Sequence, residues 1–135
     1  MILDTSVIVA LALSEPEERQ FLRAMADAPA CRMSAGSWIE LSAVAVSRKL
    51  LRPEWLEEAI RQYEIILEPV TVEQAKIGHA AYREFGIGSG HRAGLNFGDC
   101  FAYALAKATG EPLLFKGDDF GHTDVLRAIN VASGA

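Results

Sequence analysis

The chain has 135 residues, half of them apolar, and its 13 basic and 18 acidic side chains give a net charge of −5. This length suits one domain, spanning residues 1–135, with a single continuous core. No stretch of the sequence approaches the roughly 18 uninterrupted apolar residues of a membrane span, so we expect a cytoplasmic protein with no membrane partner. The negative charge disfavours a broad basic surface for nucleic acid, although cations bound to clustered carboxylates would reverse the potential locally.

The first half of the chain alternates short apolar runs with helical patterns. Apolar residues at helical spacing, together with capping residues and prolines, predict four helices there. In chain order, the predicted elements are a strand at 1–3, a helix to residue 13 capped by Thr5 or Ser6, a helix at 16–28 whose cap is Ser14, a strand at 30–33, a helix at 34–51 and a helix at 54–66.

The second half continues the alternation. Thr71 followed three residues later by Gln74 is a capping-box signature, and Asn96 is a suitable cap for a later helix. Four glycines between residues 85 and 95 predict a mobile loop or lid. The predicted elements are a strand at 67–70, a helix from Thr71 to residue 84, the loop at 85–95, a helix at 97–109, a strand at 112–115 and an edge strand within 123–131.

Short buried strands separated by helices predict an α/β fold with a parallel sheet, because parallel strands need crossover connections. In such folds ligands bind outside the carboxyl ends of the strands. Asp4 follows the first predicted strand, and Asp118 and Asp119 follow a late one. We therefore expect these side chains to lie near one another at that edge of the sheet.

Four acidic positions stand out by their context in this pattern. They are Asp4, Glu40 within a largely apolar helix, Asp99 in the first turn of a helix, and Asp118 or Asp119. Each has an ordinary structural interpretation, as a favourable charge at a helix start, an exposed helical residue or a turn former. A cluster of carboxylates would repel itself, however, and oxygen-only sites of this kind suit Mg²⁺ or Mn²⁺.

These residues resemble a known family. Asp4-Thr5-Ser6, Glu40, the segment at 96–106 that contains Asn96-Phe97-Gly98-Asp99, and the closing segment at 113–120 are similar to the PIN-domain ribonucleases. More narrowly, they resemble the VapC toxins of bacterial toxin–antitoxin pairs. The resemblance covers nearly the whole chain, and the segments around Asp99 and Asp119 are its most specific parts.

The resemblance implies a PIN-like three-layer α/β/α sandwich with a short, mostly parallel sheet. It also implies a metal-dependent endoribonuclease that hydrolyses RNA phosphodiester bonds with one or two Mg²⁺ ions, Mn²⁺ being the other candidate. Asp4, Glu40, Asp99 and Asp119 are then the catalytic and metal-binding residues. Asp119, which precedes Phe120, is preferred as the fourth acid, and Asp118 is the alternative.

Further contacts are expected around that site. Ser6 is a supporting residue that can hydrogen-bond a carboxylate or a metal-bound water, and His91, Arg92 and Lys116 are candidates for contacts to RNA phosphates. By resemblance, the partner is a VapB-like antitoxin whose tail occludes the acidic pocket. The same resemblance implies a homodimer and a toxin–antitoxin hetero-oligomer.

Two other functions fit parts of the sequence. A metal-dependent phosphatase or phospho-acceptor domain also places an Asp after its first parallel strand and uses it as a nucleophile. The second aspartate that one such class carries two residues later is Ser6 here. A non-catalytic PIN-like binding module would keep the fold without a competent site.

Overall fold

The protein is described by a computed structural model over residues 1–49 and 51–129. Four short strands form one sheet in the order β3-β2-β1-β4, and each of the three pairings is parallel. This agrees with the predicted α/β fold and its mostly parallel sheet. The strands are β1 (Ile2–Leu3), β2 (Cys31–Ser34), β3 (Ile65–Glu68) and β4 (Leu113–Leu114).

Six helices connect and cover these strands. They are α1 (Thr5–Ala12), α2 (Glu18–Asp27), α3 (Ala35–Arg48), α4 (Pro53–Gln62), α5 (Val72–Phe85) and α6 (Asp99–Thr109). A short 3-10 turn (Phe120–His122) follows β4. Within the described part of the chain, no helix has the length and apolar character needed to cross a membrane.

The adjacent strands β1 and β4 send alternate residues into two separate apolar cores, as the two-residue period of a strand requires. Leu3 and Leu114 pack into a core to which α1, α2, α3 and α4 contribute. Ile2 and Leu113 point the other way, into a core built with α5 and α6. Helices therefore cover both faces of the sheet, and the polar site is confined to the sheet edge.

The start of α1 differs from the sequence-based expectation. Asp4, and not Thr5 or Ser6, is the residue that caps the helix, because its side chain accepts a hydrogen bond from the backbone N–H of Ser6. Asp4 has extended backbone geometry, whereas Thr5 is already helical. The strand thus passes into the helix without a connecting loop, and the carboxylate is fixed at their junction.

The predicted helix at 54–66 was too long, and the strand after it was placed too late. The helix α4 ends at Gln62, and β3 covers Ile65–Glu68 instead of 67–70. Glu64 lies between them with a φ of 52°, in the left-handed region that ends a helix. The two isoleucines that extend the apolar pattern of the helix belong to the strand, where β-branched residues pack well.

Three other boundaries are corrected. Ser14 has a φ of 49° and does not cap α2, which begins at Glu18 with no side-chain cap, so Pro16 lies before the helix. The helix expected from residue 97 begins at Asp99. The expected edge strand at 123–131 is reduced to one parallel bridge, between Leu113 and Arg127, and residues 130–131 lie outside the described residues.

The glycine-rich segment at 85–95 is a closed loop. Its ends are joined by a bridge between Gly86 and Leu95, and Leu95 is fully buried. His91 holds the loop from within, since its Nδ1 accepts a hydrogen bond from the Ala93 N–H and its ring stands edge-on to Phe85. The tip of the loop is exposed, but its return to the core is fixed by these contacts.

Candidate active site

Asp4 is a buried carboxylate at the end of β1, with only 4% of its surface exposed. Its Oδ2 accepts the Ser6 N–H at 3.1 Å. Its Oδ1 is buried and has no hydrogen-bond partner among the described residues. Burial raises the pKa of Asp4, and the charge of Asp119 raises that pKa further, while hydrogen bonds from Ser6 and Thr5 oppose the shift. An orphan oxygen of this kind is costly unless a cation or a proton satisfies it.

Glu40 lies in the middle of α3 and is partly buried. The Thr5 hydroxyl donates a hydrogen bond to its Oε1 at 3.0 Å, which ties the glutamate to the start of α1. Burial raises the pKa of Glu40, and the charge of Asp4 adds to the effect. Its carboxylate therefore belongs to the same electrostatic group as Asp4 and is not an ordinary solvated helical residue.

Asp99 is the first residue of α6 and is 9% exposed. It forms a reciprocal pair with Asn96: its Oδ2 accepts the Asn96 N–H at 3.0 Å, and its own N–H donates to Asn96 Oδ1 at 2.8 Å. Burial, with smaller contributions from the charges of Asp4, Glu40 and Asp119, raises the pKa of Asp99 to about 7. The fold holds this carboxylate in place against repulsion from three others.

The loop after β4 supplies the fourth acid. Asp119 lines the same pocket as the three carboxylates above. Asp118 lines a separate hollow beside Arg127. The loop is anchored to α1, because the Lys116 N–H donates to Ser6 Oγ at 2.9 Å. Of the two adjacent aspartates, the geometry thus favours Asp119 as the member of the site.

These side chains surround one open pocket of about 430 Å³ at the carboxyl edge of the sheet. An apolar cavity of similar size, about 440 Å³, lies between α5 and α6 and is lined by none of the four acids. Chemistry and not volume therefore identifies the site. The pocket is lined by Asp4, Thr5, Ser6, Val9, Glu15, Glu40, Val44, Arg48, Asn96, Asp99, Lys116, Asp119 and Phe120.

The donor set fits a hard divalent cation. The four acids offer only carboxylate oxygens, which Mg²⁺ and Mn²⁺ prefer, and Asp4 Oδ1 is a buried oxygen in need of a partner. Over residues 1–49 and 51–129, however, no three acidic, histidine or cysteine side chains form a ready-made cluster for one ion. The carboxylates surround the pocket at wider spacing, which suits ligation partly through water.

Lys116 lines the pocket, but its ammonium group is shared by two glutamates. Its Nζ lies 3.1 Å from an oxygen of Glu15 and 3.1 Å from an oxygen of Glu17. His91 and Arg92 are not among the described residues that line the pocket. The structure thus brings Lys116 to the acidic pocket and places the other two candidates on the glycine-rich loop.

Several residues of the site were missed in the sequence. Thr5 was expected only as a helix cap or a family position, but it is the hydrogen-bond donor to Glu40. Asn96 was expected to cap α6, whose N-cap is instead Gly98. The hydrogen bond from Asn96 that holds the Asp99 carboxylate could have been read from the spacing of three between them. Arg48 and Glu15 reach the pocket through tertiary packing, which no local pattern reveals.

The fold and the site together define a small parallel α/β protein with an acidic pocket at the carboxyl edge of its sheet. Residues 1–126 match the family model described as PIN domain. Ribonuclease VapC28 of Mycobacterium tuberculosis is 49% identical over 131 residues, covering 96% of this chain and 98% of the relative. Ribonuclease VapC of Mycolicibacterium smegmatis is 43% identical over 131 residues, covering 93% and 97%.

Solved structures agree with this fold. The chain is similar to Mycobacterium tuberculosis VapC20, a Sarcin-Ricin loop cleaving toxin, with a TM-score of 0.69, 19% identity and coverage of 93% of this chain and 95% of that one. A toxin-antitoxin complex from Klebsiella pneumoniae gives a TM-score of 0.69 at 18% identity, covering 96% and 98%. The chain therefore belongs to the PIN-domain family, within its group of VapC ribonucleases. The resemblance seen in the sequence is confirmed.

The raised pKa of Asp99 predicts a measurable pH dependence of stability. The folded protein keeps a proton on Asp99 up to about pH 7, whereas the unfolded chain releases it near the ordinary value of 3.8. Stability therefore falls as pH rises between these values, by at most about 1.4 kcal/mol per pH unit for this group. Because asparagine resembles the protonated form, Asp99→Asn should lack this component and be the more stable protein at pH 8 in the absence of metal.

The measurement is urea unfolding of chelator-treated protein from pH 4 to pH 8. Asp118→Asn is the matched control, since Asp118 is exposed and lies outside the lining of the acidic pocket. The control should follow the wild-type curve. If the free energy of unfolding depended on pH in the same way for wild type and Asp99→Asn, Asp99 would not be the group that keeps its proton in the folded state.

Proposed function

We propose that this chain is the toxin of a toxin–antitoxin pair and hydrolyses RNA at the acidic pocket, with Asp4, Asp99 and Asp119 as direct or water-mediated ligands of Mg²⁺. One observation carries the assignment of the site: four carboxylates from β1, α3, α6 and the loop after β4 line a single pocket, and one buried oxygen of Asp4 lacks a partner. Membership of the VapC ribonucleases supports the activity. Metal dependence is general in that family, and Mg²⁺ is the proposed ion, with Mn²⁺ as the other candidate.

The divalent ion, when bound, lowers the pKa of a coordinated water and stabilises negative charge on a phosphoryl oxygen. The protein residues provide geometry. Asp4 and Asp99 are held by backbone N–H groups of Ser6 and Asn96, so that one carboxylate oxygen of each is oriented by the fold. Glu40, fixed by the Thr5 hydroxyl, orients the attacking water and accepts its proton.

Glu40 is suited to that task by its surroundings. Its pKa is raised above the ordinary value by burial and by the charge of Asp4, and a carboxylate with a raised pKa is a better general base near neutral pH. The Thr5 hydroxyl donates a hydrogen bond to Oε1, and in the proposal this bond fixes the direction of the carboxylate relative to the attacking water.

The phosphatase or phospho-acceptor alternative has less support. It would need Asp4 as a nucleophile, and the VapC relatives are named ribonucleases. A non-catalytic module remains an outcome of the test below. It would bind divalent metal without cleaving RNA.

Substitution of the acids tests the site directly. We expect Asp4→Asn, Asp99→Asn and Asp119→Asn each to lower Mg²⁺-dependent RNA cleavage by more than about a hundredfold, since a metal contributes several kcal/mol to such a transition state. Asp118→Asn is the matched control and should cleave at the wild-type rate. Cleavage is measured as single-turnover rates, with circular dichroism to verify folding.

Undiminished cleavage by both Asp4→Asn and Asp99→Asn would sink the assignment of the pocket. A loss confined to Asp118→Asn, with Asp119→Asn unaffected, would move the fourth acidic role to Asp118. Calorimetry with Mg²⁺ and with Mn²⁺ on the same variants shows whether metal binding is lost together with activity. Intact metal binding without any cleavage by the wild type would favour a non-catalytic module.

We propose that Lys116 contacts an RNA phosphate at the rim of the pocket, with His91 and Arg92 as outlying contacts. Lys116 lines the pocket, and its ion pairs with Glu15 and Glu17 leave it close to where a phosphate would approach. Loss of one phosphate contact should lower the slope of log affinity against log salt by about 1. Lys116→Gln should show this decrease in an Asp4→Asn background, which separates binding from cleavage.

Lys76→Gln is the matched control, because Lys76 is exposed on α5 and does not line the pocket. Arg92→Gln and His91→Gln in the same background measure the two outlying contacts. An unchanged salt slope for Lys116→Gln would mean that this lysine serves only to join Glu15 and Glu17 to the loop.

We propose that a VapB-like antitoxin binds this chain, and that the toxin is a homodimer within the complex. Support comes from a similar fold in a toxin-antitoxin complex and from the VapC relatives. The test is size-exclusion chromatography with light scattering, with and without the product of the neighbouring reading frame. The protein by itself should have twice the mass of a single chain, and the mixture should have a larger mass. A single-chain mass in both runs would contradict both expectations.

A further inference from the structure

Gly98 precedes Asp99 and is buried at the start of α6. Its φ of −63° and ψ of −36° lie in the right-handed helical region, which every L-residue adopts without strain. The backbone therefore gives no reason for a glycine here. This distinguishes Gly98 from glycines such as Gly110 and Gly117, whose positive φ values favour glycine by conformation.

The reason lies in α3. A Cβ added at Gly98 would be 1.3 Å from Oε2 of Glu40 and 2.1 Å from its Cδ, far inside any permitted contact. The carboxylate thus occupies the space that a side chain at position 98 would fill. The other oxygen, Oε1, accepts the Thr5 hydroxyl at 3.0 Å.

We infer that Gly98 is a positioning residue for the reaction: by having no side chain, it leaves the space in which the Glu40 carboxylate is held between Thr5 and the start of α6. We call this space the Glu40 seat, bounded by Thr5 and Gly98. The inference rests on the proposed function, because it concerns the residue that orients the attacking water. It explains how a flexible glutamate on α3 is kept beside Asp99.

A methyl group at position 98 should displace Glu40 without disrupting the fold. The clashing atoms are the far end of a long, flexible side chain, which can rotate toward the open pocket. Gly36 offers the contrast, since a Cβ there would lie 2.2 Å from the rigid aromatic ring of Phe101. Gly98→Ala should therefore displace the Glu40 carboxylate selectively, because the added methyl group takes its place in the Glu40 seat.

Gly78→Ala is the matched control. Gly78 is a buried helical glycine on α5, and its added Cβ would meet only ordinary contacts, 3.4 Å from the Cys100 oxygen and 3.7 Å from the Ala104 Cβ. Both substitutions add one methyl group next to α6. Only Gly98→Ala intrudes on the Glu40 seat.

The first test is a double-mutant cycle with Glu40→Ala, using steady-state RNA cleavage in Mg²⁺. We expect Gly98→Ala to lower kcat about 10- to 100-fold, as loss of a residue that orients the reacting groups does, with KM changed less than about twofold. In the Glu40→Ala background, Gly98→Ala should cause no further loss. Gly78→Ala should leave kcat and KM unchanged in both backgrounds.

Full activity of Gly98→Ala would overturn the inference. So would an equal loss in the wild-type and Glu40→Ala backgrounds, since Gly98 would then act through α6 or Asp99 and not through Glu40. The cycle thus separates a seat for Glu40 from a general structural role at the helix start.

A second measurement judges the seat independently of catalysis. The ¹³C resonance of the Glu40 side-chain carboxyl, assigned with Glu40→Gln in metal-free protein at one pH, should shift in Gly98→Ala and stay in place in Gly78→Ala. An unchanged resonance in Gly98→Ala overturns the inference even if activity falls. If Glu40→Ala itself cleaves RNA normally, the proposed role of Glu40 fails, and this resonance still decides whether Gly98 holds its carboxylate.

Discussion

The repulsion among carboxylates gathered at one edge of the sheet is the constraint on which the rest of the structure depends. Asp4 and Asp99 are buried and Glu40 is partly buried, and this burial raises the pKa of each. The charges of neighbouring carboxylates raise the three pKa values further. Burial of unpaired charge costs free energy that the remainder of the fold must offset. The two apolar cores on either face of the sheet provide that stability, and Val9 of one core and Phe120 of the other form part of the pocket wall. The acidic site thus lowers the stability of the folded protein, and the apolar cores compensate for this loss.

The hydrogen bonds around the acids orient them without neutralising them. Asp4, Glu40 and Asp99 each accept a hydrogen bond from a neutral group: a backbone N–H of Ser6, the hydroxyl of Thr5 and a backbone N–H of Asn96. The nearby ammonium group of Lys116 is engaged by Glu15 and Glu17. A direct lysine partner would have relieved the repulsion and removed the preference for a divalent ion. Neutral donors preserve the negative potential and fix the direction of each carboxylate.

Local patterns revealed the acids but not their relationships. Asp4 at the end of a strand and Asp99 at the start of a helix were predictable, because strand ends, caps and first helical turns have signatures in the sequence. The parallel sheet followed from the order of elements, and it brought those acids to one edge. The contact between Glu40 and Gly98 was not predictable, because it joins α3 to α6, and a glycine with ordinary helical geometry carries no local signal. The end of α4 was missed because Ile65 and Ile66 continue its apolar pattern into β3.

An acidic protein that acts on RNA needs its charge arranged so that a polyanion can approach. The chain has a net charge of −5, and several of its acids line the pocket at which we propose that RNA is cleaved. Like charges repel one another, so a phosphate and the free carboxylates of the pocket oppose each other. Divalent ions bound to these carboxylates would invert the local potential, and the proposed site therefore implies that RNA binding depends on prior metal binding. Protons and metal ions compete for the same carboxylate oxygens. Because the pKa values of Asp4 and Asp99 are raised, metal binding must displace protons from these side chains. If RNA is cleaved at this pocket as proposed, the affinities of the four carboxylates for protons and metal ions and of the pocket for RNA are coupled through one set of charges.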